Sequence, residues 1–250
     1  RLTDVTGVQT CALPIFKMAI ISLTTDFGLE DGNVGVMKAV ITKIAPQASL
    51  VDISHFVPPQ DIFAGAFILG RSVPFFQENS IHLGVIDPGV GTQRRPIAAR
   101  LGNHIFVGPD NGLCTLVWKT SQKQGLTNVF YHLDKRDYWL PEIGHVFHGR
   151  DIFSPVAAHL ANGVPIEELG TRIFDPILLE IAEPQKIKQG LLGEVIYLDH
   201  FGNIITNIMR TDVENSPLVS VKIHQHTIQG LVRTFGERLP GQLIALFGSS

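Results

Sequence analysis

Two aspartates lie in a short glycine-containing segment between a predicted strand and a predicted helix. The segment 24–33 (TTDFGLEDGN) holds Asp26 and Asp31, five positions apart. Carboxylates in such a loop can bind a ribose diol, hold an ammonium group or ligate a metal. Ca²⁺ takes about six to eight oxygen ligands, so two aspartates are a weak pattern for it. Asp31 could also be only a solvated residue at the start of a helix.

A second segment, residues 87–95 (DPGVGTQRR), combines a carboxylate, a tight Gly/Pro turn and two guanidinium groups. Its glycines do not follow the GxGxxG spacing, and no Gly-Lys-Ser/Thr sequence follows, so a phosphate-binding loop is not indicated. Asp87 and Arg94 could belong to a site or form only a structural ion pair. The segment 108–112 (GPDNG) is rich in turn-forming residues and could be only a turn.

Histidine offers a candidate general base. The segment 147–151 (FHGRD) puts His148 just before a predicted helix, with Arg150 beside it. An imidazole there can accept a proton near neutral pH. The chain has ten histidines, so residue type alone does not select one. Four of the others lie in or near predicted strands and have no evident partner: His55, His82, His104 and His132.

The segment 199–208 (DHFGNIITNI) could bind an aromatic ring. An asparagine amide can pair with the edge of adenine, and a phenylalanine ring can stack on its face. A strand–turn–strand with Gly202 in the turn accounts for the same residues without a ligand.

The elements that must position these residues alternate between strand and helix. Short apolar runs predict strands at 19–24, 49–53 and 81–86. Helical spacing from Val34 to Ile44, ended by Pro46, predicts one helix, and Asp61 can cap a second. This order implies a mostly parallel sheet, which binds ligands beyond the carboxyl ends of its strands. Asp26 and Asp87 both follow such ends.

The rest of the chain predicts a hairpin, a third helix and a second domain. Gly102-Asn103 turns between strands at 97–101 and 105–107, and Asp151 caps a helix that Asn162-Gly163 ends. After Glu183 only strands are predicted, at 194–198, 203–208, 219–223, 227–232 and 242–247. The fold class is therefore α/β, with an N-terminal domain at 18–183, a linker at 184–189 and a smaller all-β, barrel-like domain at 190–250.

Composition excludes several classes of protein. The 250 residues carry a formal net charge of −3 without clustered Lys and Arg, which argues against binding nucleic acid. Apolar runs are far shorter than the roughly 20 residues of a membrane span. Two cysteines without a CxxC pair indicate neither a disulfide framework nor structural zinc. A soluble cytoplasmic protein is expected.

Both ends of the sequence are unusual. Residues 1–17 show neither a helical nor an alternating pattern, and Met18 follows directly. We expect this leader, which includes Cys11, to be non-native. The predicted strand at 242–247 stops three residues before Ser250, so we expect the natural C-terminus to lie beyond it.

Taken together, the motifs resemble those of the S-adenosyl-L-methionine (SAM) hydroxide adenosyltransferase family. These are adenosine-forming SAM hydrolases related to the enzymes that make fluoro- and chloro-adenosine. The resembling segments run in family order over more than nine-tenths of the chain: TDFGLEDGNVGVMKAVI, DISHFVPPQDI, VIDPGVGTQRRPI, FVGPDNG, FHGRDIFSPVAAHLANG and DHFGNIITNI. The resemblance implies an α/β domain followed by a β-barrel-like domain, a homotrimer with SAM between subunits, and no metal or cofactor.

The resemblance also implies roles for individual residues. A water-activating triad falls on Asp87, Arg94 and His148, with Arg95 a close competitor for Arg94. Substrate binding falls on residues of both domains, with Asp26 on the ribose hydroxyls, Asp31 and Asp199 near the methionine ammonium, Asn203 on adenine, Phe201 and Phe235 stacking on it, and Asn33 and Ser249 elsewhere in the site.

Two other functions would use much of the same sequence. A halide-using transferase would share the fold, and a non-catalytic SAM- or adenosine-binding sensor would keep the pocket without the triad. The ionised carboxylate expected at Asp87 suits water and disfavours a halide anion. The short run 93–108 also leaves no room for the extra loop of the halogenating relatives. The sequence therefore predicts a SAM hydrolase.

Overall fold

A computed structural model describes residues 18–213 and 219–248, which divide into two compact units between Leu179 and Glu180. The predicted leader with Cys11, and the predicted substrate residue Ser249, lie outside the described residues. Among the described residues, no helix is both long enough and apolar enough to cross a bilayer.

The N-terminal unit is built on one seven-stranded sheet. Its strands are β1 (Ile20–Thr25), β2 (Ser49–Ser54), β3 (Ile81–Val85), β4 (Pro96–Leu101), β5 (His104–Pro109), β6 (Asn128–His132) and β7 (Thr171–Ile173). The spatial order is β2-β1-β3-β5-β4-β6-β7. Neighbours from β2 to β5 are parallel, and the pairs beyond β5 are antiparallel, so five strands run one way and β4 and β7 the other. The predicted mostly parallel sheet is confirmed.

Helices cover this sheet. They are α1 (Asn33–Ile44), α2 (Ile62–Ser72), α3 (Thr115–Lys123) and α4 (Ser154–Ala161). Helix α1 packs against α4, and α2 packs against α3. Strand β3 is buried along its whole length, as expected for a central parallel strand with both faces covered. Helix α1 buries Val34, Met37 and Ile41, which recur at helical spacing.

Several local predictions are confirmed. Asp61 caps α2, because its side chain accepts a hydrogen bond from the Ala64 backbone N–H at 2.9 Å. Strands β4 and β5 form the predicted hairpin around Gly102-Asn103. The sequence did not predict α3, β6 or β7. Helix α3 (TLVWKTSQK) is largely polar, so its apolar periodicity is weak.

The predicted capping role of Asp151 is wrong. A single turn of π-helix, Gly149–Phe153, runs directly into α4, and Asp151 lies fully buried inside that turn. Its carboxylate accepts hydrogen bonds from the Gly144 backbone N–H and from the side chain of Arg150. These bonds hold the carboxylate toward the preceding loop, so it caps no helix.

The C-terminal unit contains three separate antiparallel strand pairs in its described residues. They are β8 (Gln185–Ile187) with β9 (Gly190–Leu192), β10 (Val195–Leu198) with β11 (Ile204–Thr206), and β12 (Ser220–Ile223) with β13 (His226–Gln229). A short helix, α5 (Arg210–Val213), follows β11. Part of the predicted linker thus forms β8. The predicted strand at 242–247 is wrong, since no strand is assigned there.

Candidate active site

Three predicted catalytic residues come from two loops of the N-terminal unit. Asp87 follows the end of β3, Arg94 precedes β4, and His148 stands directly before the π-helical turn. The loop between Asp87 and Arg94 is a compact turn in which the Thr92 hydroxyl donates to the Gly89 carbonyl and accepts from the Arg94 N–H. This turn fixes the backbone position of Arg94.

The same turn packs closely against the loop before His148. Gly91 has a positive φ of 77°, and a Cβ atom built there would lie 2.6 Å from the carbonyl oxygen of His145. Only glycine meets both conditions, because a side chain is strained at this φ and would collide with that backbone oxygen. Gly91 therefore allows the turn that carries Arg94 to approach the loop that carries His148.

The structure brings Asp87, Arg94 and His148 into direct contact. Arg94 Nε donates to Asp87 Oδ1 at 3.0 Å, and Arg94 Nη2 donates to Asp87 Oδ2. The same Nη2 lies 3.1 Å from His148 Nδ1. The side chains of Asp87 and Arg94 are only 5% and 7% exposed. A bidentate pair this buried fixes the guanidinium plane against the imidazole.

The charge on Arg94 determines the state of His148. Arginine can only donate hydrogen bonds, so His148 Nδ1 must accept, and the proton of the neutral ring sits on Nε2. Burial and the neighbouring Arg94 charge lower the pKa of His148 below its usual value, against a smaller opposing effect of Asp87 and Asp151. The basic nitrogen of a neutral imidazole thus faces the guanidinium.

One donor of Arg94 has no partner among the described residues. Nη1 is buried, and no protein group accepts a hydrogen bond from it. Buried guanidinium donors are normally satisfied, so an acceptor such as a water oxygen is expected at Nη1. Arg94 Nη1 can therefore bind a small polar molecule that accepts a hydrogen bond.

Arg95 points elsewhere. Its guanidinium pairs with Asp110, which is 1% exposed, and with Asp175. Asp110 also accepts a hydrogen bond from the Ile177 backbone N–H. The geometry therefore separates the two neighbouring arginines: Arg94 contacts His148, whereas Arg95 anchors the end of the N-terminal unit.

The predicted substrate residues of this unit lie on the loop after β1 and at the start of α1. Asp26 is half-buried, and its Oδ2 accepts a hydrogen bond from the Gln60 backbone N–H at 2.8 Å. Asp31 is exposed, and Asn33 is the first residue of α1. Asp31 does not cap the helix, because Gly32 occupies the cap position without a side-chain bond.

The Asp26 loop meets the His148 loop through two aromatic rings. Phe27 and Phe147, which directly follow Asp26 and directly precede His148, pack edge to face with ring centroids 5.8 Å apart. Such an arrangement is favourable for aromatic pairs. Two of the predicted site segments are thus neighbours in the fold.

The remaining predicted substrate residues lie in the C-terminal unit. Asp199 Oδ1 accepts from the backbone N–H groups of Phe201 and Asn203, and Asn203 Nδ2 donates to Asp199 Oδ2 at 2.7 Å. Gly202 takes a positive φ of 83°, so this is the strand–turn–strand that the sequence also allowed. Phe201 is 87% exposed and Phe235 62% exposed, which leaves both rings accessible for stacking.

Comparison with known proteins identifies the family. The SAM hydroxide adenosyltransferase N-terminal domain profile matches residues 21–170, and the C-terminal domain profile of the same family matches residues 193–250. The chain belongs to the SAM hydroxide adenosyltransferase family. The resemblance seen in the sequence motifs is thereby confirmed.

Individual members of this family and related enzymes are similar over most of the chain. It is 40% identical to a (R)-S-adenosyl-L-methionine hydrolase of Thermus thermophilus, covering 90% of this chain and 87% of that one. It is 37% identical to the enzyme of the same name from Salinispora tropica, covering 90% and 84%. A fluorinase of an Actinoplanes species is 29% identical, covering 82% of this chain and 76% of that one. The solved structure of an uncharacterised conserved protein from Thermotoga maritima superposes with a TM-score of 0.83 at 34% identity, covering 90% and 88%.

Sequence reasoning missed the partners of two buried histidines. His55 was without an evident partner, yet its ring contacts Thr25 and Asp52. His82, equally unpartnered in the sequence, bonds Ser22 and His104. Asp52 is only three positions from His55, but Thr25, Ser22 and His104 lie 30, 60 and 22 positions from their histidine partners, so only the strand order could have revealed those pairings.

A resident metal finds little support in the side chains. Within residues 18–213 and 219–248, no three His, Cys, Asp or Glu side chains lie together in a way that could hold a metal ion. The carboxylates nearest to His148 are already engaged, Asp87 by Arg94 and Asp151 by Arg150.

Proposed function

We propose that this chain hydrolyses S-adenosyl-L-methionine to adenosine and L-methionine by attack of water on the ribose C5′. The observation that carries the proposal is the buried contact of Asp87, Arg94 and His148, with the unpartnered Arg94 Nη1 beside it. The names of the two hydrolase relatives support the same reaction.

The leaving group determines what the protein must supply. In this displacement the C5′–O bond forms while the C5′–S bond breaks, and the sulfur keeps the electron pair. The positively charged sulfonium becomes the neutral thioether of methionine, so no general acid is required at the leaving group. The remaining requirements are a positioned water, partly freed from bulk solvent, and a group that accepts its proton.

The three residues meet these requirements in complementary ways. Arg94 Nη1 donates to the water oxygen and stabilises its hydroxide character, while Asp87 fixes the guanidinium in place. His148 accepts the proton at Nδ1, whose single lone pair exchanges the hydrogen bond from Arg94 Nη2 for one from the water. Its lowered pKa keeps the imidazole neutral and ready at physiological pH.

Substrate binding is assigned to the residues that the family resemblance indicates. Asp26 would bind the ribose hydroxyls, and Asp31 and Asp199 would lie near the methionine ammonium. The adenine would be held by Asn203 with the rings of Phe201 and Phe235, and Asn33 and Ser249 would complete the site. The exposed rings of Phe201 and Phe235 can stack on a ligand, and the half-buried Asp26 and Asp199 and the exposed Asp31 can accept hydrogen bonds from it.

The assembly and its setting form part of the same proposal. We infer a homotrimer with SAM bound between subunits, acting in the cytoplasm without a metal or cofactor. Light scattering measures the assembly, and a mass of one or two chains would contradict it. Activity that a chelator abolishes would contradict the absence of a metal.

Incubation with SAM in ¹⁸O-labelled water tests the reaction. The relatives are named for the (R) form of SAM, so the two epimers are assayed separately, and we expect the (R) epimer to be cleaved. The label should appear in the 5′-hydroxyl of adenosine. If both epimers of SAM stay intact, the proposal is overturned in favour of a sensor. If 5′-halo-adenosine forms in chloride or fluoride buffer, a halide transferase is favoured.

A further inference from the structure

A chain of polar contacts runs inward from a lysine on α1 to the end of β1. Lys38 Nζ donates to Asp52 Oδ2 at 2.6 Å, and Asp52 Oδ1 lies 3.0 Å from His55 Nε2. His55 Nδ1 lies 2.8 Å from Thr25 Oγ1. His55 and Thr25 are 3% and 0% exposed, whereas the Asp52 side chain is 42% exposed. The chain therefore connects the surface to the interior.

The inner end of this chain holds the loop that carries Asp26. Thr25 Oγ1 accepts a hydrogen bond from the Phe27 backbone N–H at 3.3 Å. The backbone carbonyl of His55 accepts a second one from the Gly28 N–H at 2.8 Å. Asp26 lies between Thr25, which contacts His55 Nδ1, and the Phe27 and Gly28 N–H groups, so His55 and Thr25 hold the backbone on both sides of its carboxylate.

The contacts are consistent with one direction of hydrogen bonding. A carboxylate beside Nε2 favours the proton of His55 on that nitrogen, which leaves Nδ1 to accept from the Thr25 hydroxyl. Thr25 Oγ1 can then accept the Phe27 N–H. Burial tends to raise the pKa of Asp52, but the hydrogen bonds from Lys38 and His55 outweigh it and lower that pKa, so Asp52 stays ionised.

We propose that His55 and Thr25 are positioning residues, which hold the Asp26 carboxylate in the geometry that binds the ribose hydroxyls of the substrate. The inference rests on the proposed function, because that function assigns Asp26 to the ribose. Neither side chain reaches the substrate itself, since both are buried behind the loop.

The same strand offers a matched control. Ser22 Oγ lies 2.7 Å from His82 Nδ1, and both residues are buried. This pair has the same chemistry as Thr25 with His55, but Ser22 lies three positions further from Asp26. Ser22→Ala thus removes a buried hydroxyl–imidazole bond on β1 without touching the Asp26 loop.

The test compares Thr25→Val, Thr25→Ser and His55→Gln with Ser22→Ala. Adenosine affinity is measured by calorimetry, and the KM and kcat for SAM by adenosine release. We expect Thr25→Val and His55→Gln to raise the adenosine Kd and the KM about tenfold, the scale of one lost hydrogen bond to a charged site, with kcat changed little. Thr25→Ser should restore both values, and Ser22→Ala should leave them unchanged while lowering the melting temperature.

Other outcomes separate this inference from the proposed reaction. Equal adenosine affinity in Thr25→Val, His55→Gln and Ser22→Ala would overturn the positioning role. If the wild-type chain cleaves no SAM but Thr25→Val still weakens adenosine binding, hydrolysis is wrong and positioning stands. If the buried variants do not fold, Asp52→Ala replaces them, because its side chain is partly exposed, and unchanged adenosine affinity there would also overturn the inference.

Discussion

Two adjacent arginines allow a sharp test of the candidate active site. Arg94 pairs with Asp87 and contacts His148, whereas Arg95 pairs with Asp110 and Asp175. Arg94→Ala and Arg95→Ala each remove one guanidinium from a buried carboxylate. We expect both variants to lose stability and only Arg94→Ala to lose turnover.

The expected loss of stability follows from the carboxylates left behind. Asp87 is 5% exposed and Asp110 1% exposed, so each would remain buried without its arginine. Breaking a buried pair in this way costs about 3–5 kcal/mol. For a chain of this length, each kcal/mol lowers the melting temperature by about 2–4 °C, so both variants should melt roughly 10 °C below the wild type.

The expected loss of turnover is unequal. Removing Arg94 takes away the water-binding donor and the group that orients His148, which should lower kcat about 10²-fold or more. Arg95 contacts neither, so kcat per folded molecule should stay within about threefold of the wild type. Adenosine release is followed by chromatography well below the lower melting temperature, and circular dichroism gives the folded fraction. Equal losses of turnover in the two variants, or near-normal turnover in Arg94→Ala, would refute the assignment.

Three further predictions follow from buried titratable groups. Burial and the Arg94 charge lower the pKa of His148, so kcat should stay level as the pH falls through 6.5 and decline only below it; a decline that begins above pH 6.5 would contradict a neutral imidazole as the base. Burial, with a smaller effect of His104, lowers the pKa of His82 to about 3. The unfolded chain therefore binds a proton below pH 6.5 that the folded chain does not, so stability should fall as the pH falls from 6.5 toward 3, by up to about 1.4 kcal/mol per pH unit. The free energy of unfolding, measured with urea at several pH values, should depend less steeply on pH in His82→Gln than in the wild type. An equally steep pH dependence in the two proteins would contradict this prediction. Burial raises the pKa of the Cys114 thiol to about 12, so iodoacetamide at pH 8 should modify Cys114 only after denaturation, and rapid modification of the native protein would be inconsistent with that burial.

Predictions that depend on local patterns agree with the structure. The helical spacing of Val34, Met37 and Ile41 predicted α1, and the cap at Asp61 predicted the start of α2. The strand ends that precede Asp26 and Asp87 were predicted from short apolar runs. These features are determined by residues within a few positions of each other, which is the range that periodicity and capping rules cover.

Features that depend on contacts across the fold could not be predicted in this way. Thr25 and His55 are 30 positions apart, and Ser22 and His82 are 60 apart, so their pairing follows from the order of strands in the sheet. Asp151 has the residue type and position of a helix cap. In the structure it lies within a π-helical turn and accepts a hydrogen bond from the Gly144 N–H, an arrangement that no sequence pattern indicates. Spacing likewise could not separate Arg94 from Arg95, because their partners lie on different loops.

The hydrogen-bonding character of the site bears on which nucleophile it suits. Arg94 Nη1 is a buried donor, and donors of this kind bind water and halide ions alike. His148 Nδ1 is an acceptor, since it faces a guanidinium that can only donate. A halide has no proton to give to that nitrogen, and the nearby Asp87 carboxylate repels its charge. A molecule that accepts a hydrogen bond from Arg94 Nη1 and gives its proton to His148 must be both an acceptor and a donor, and water is both.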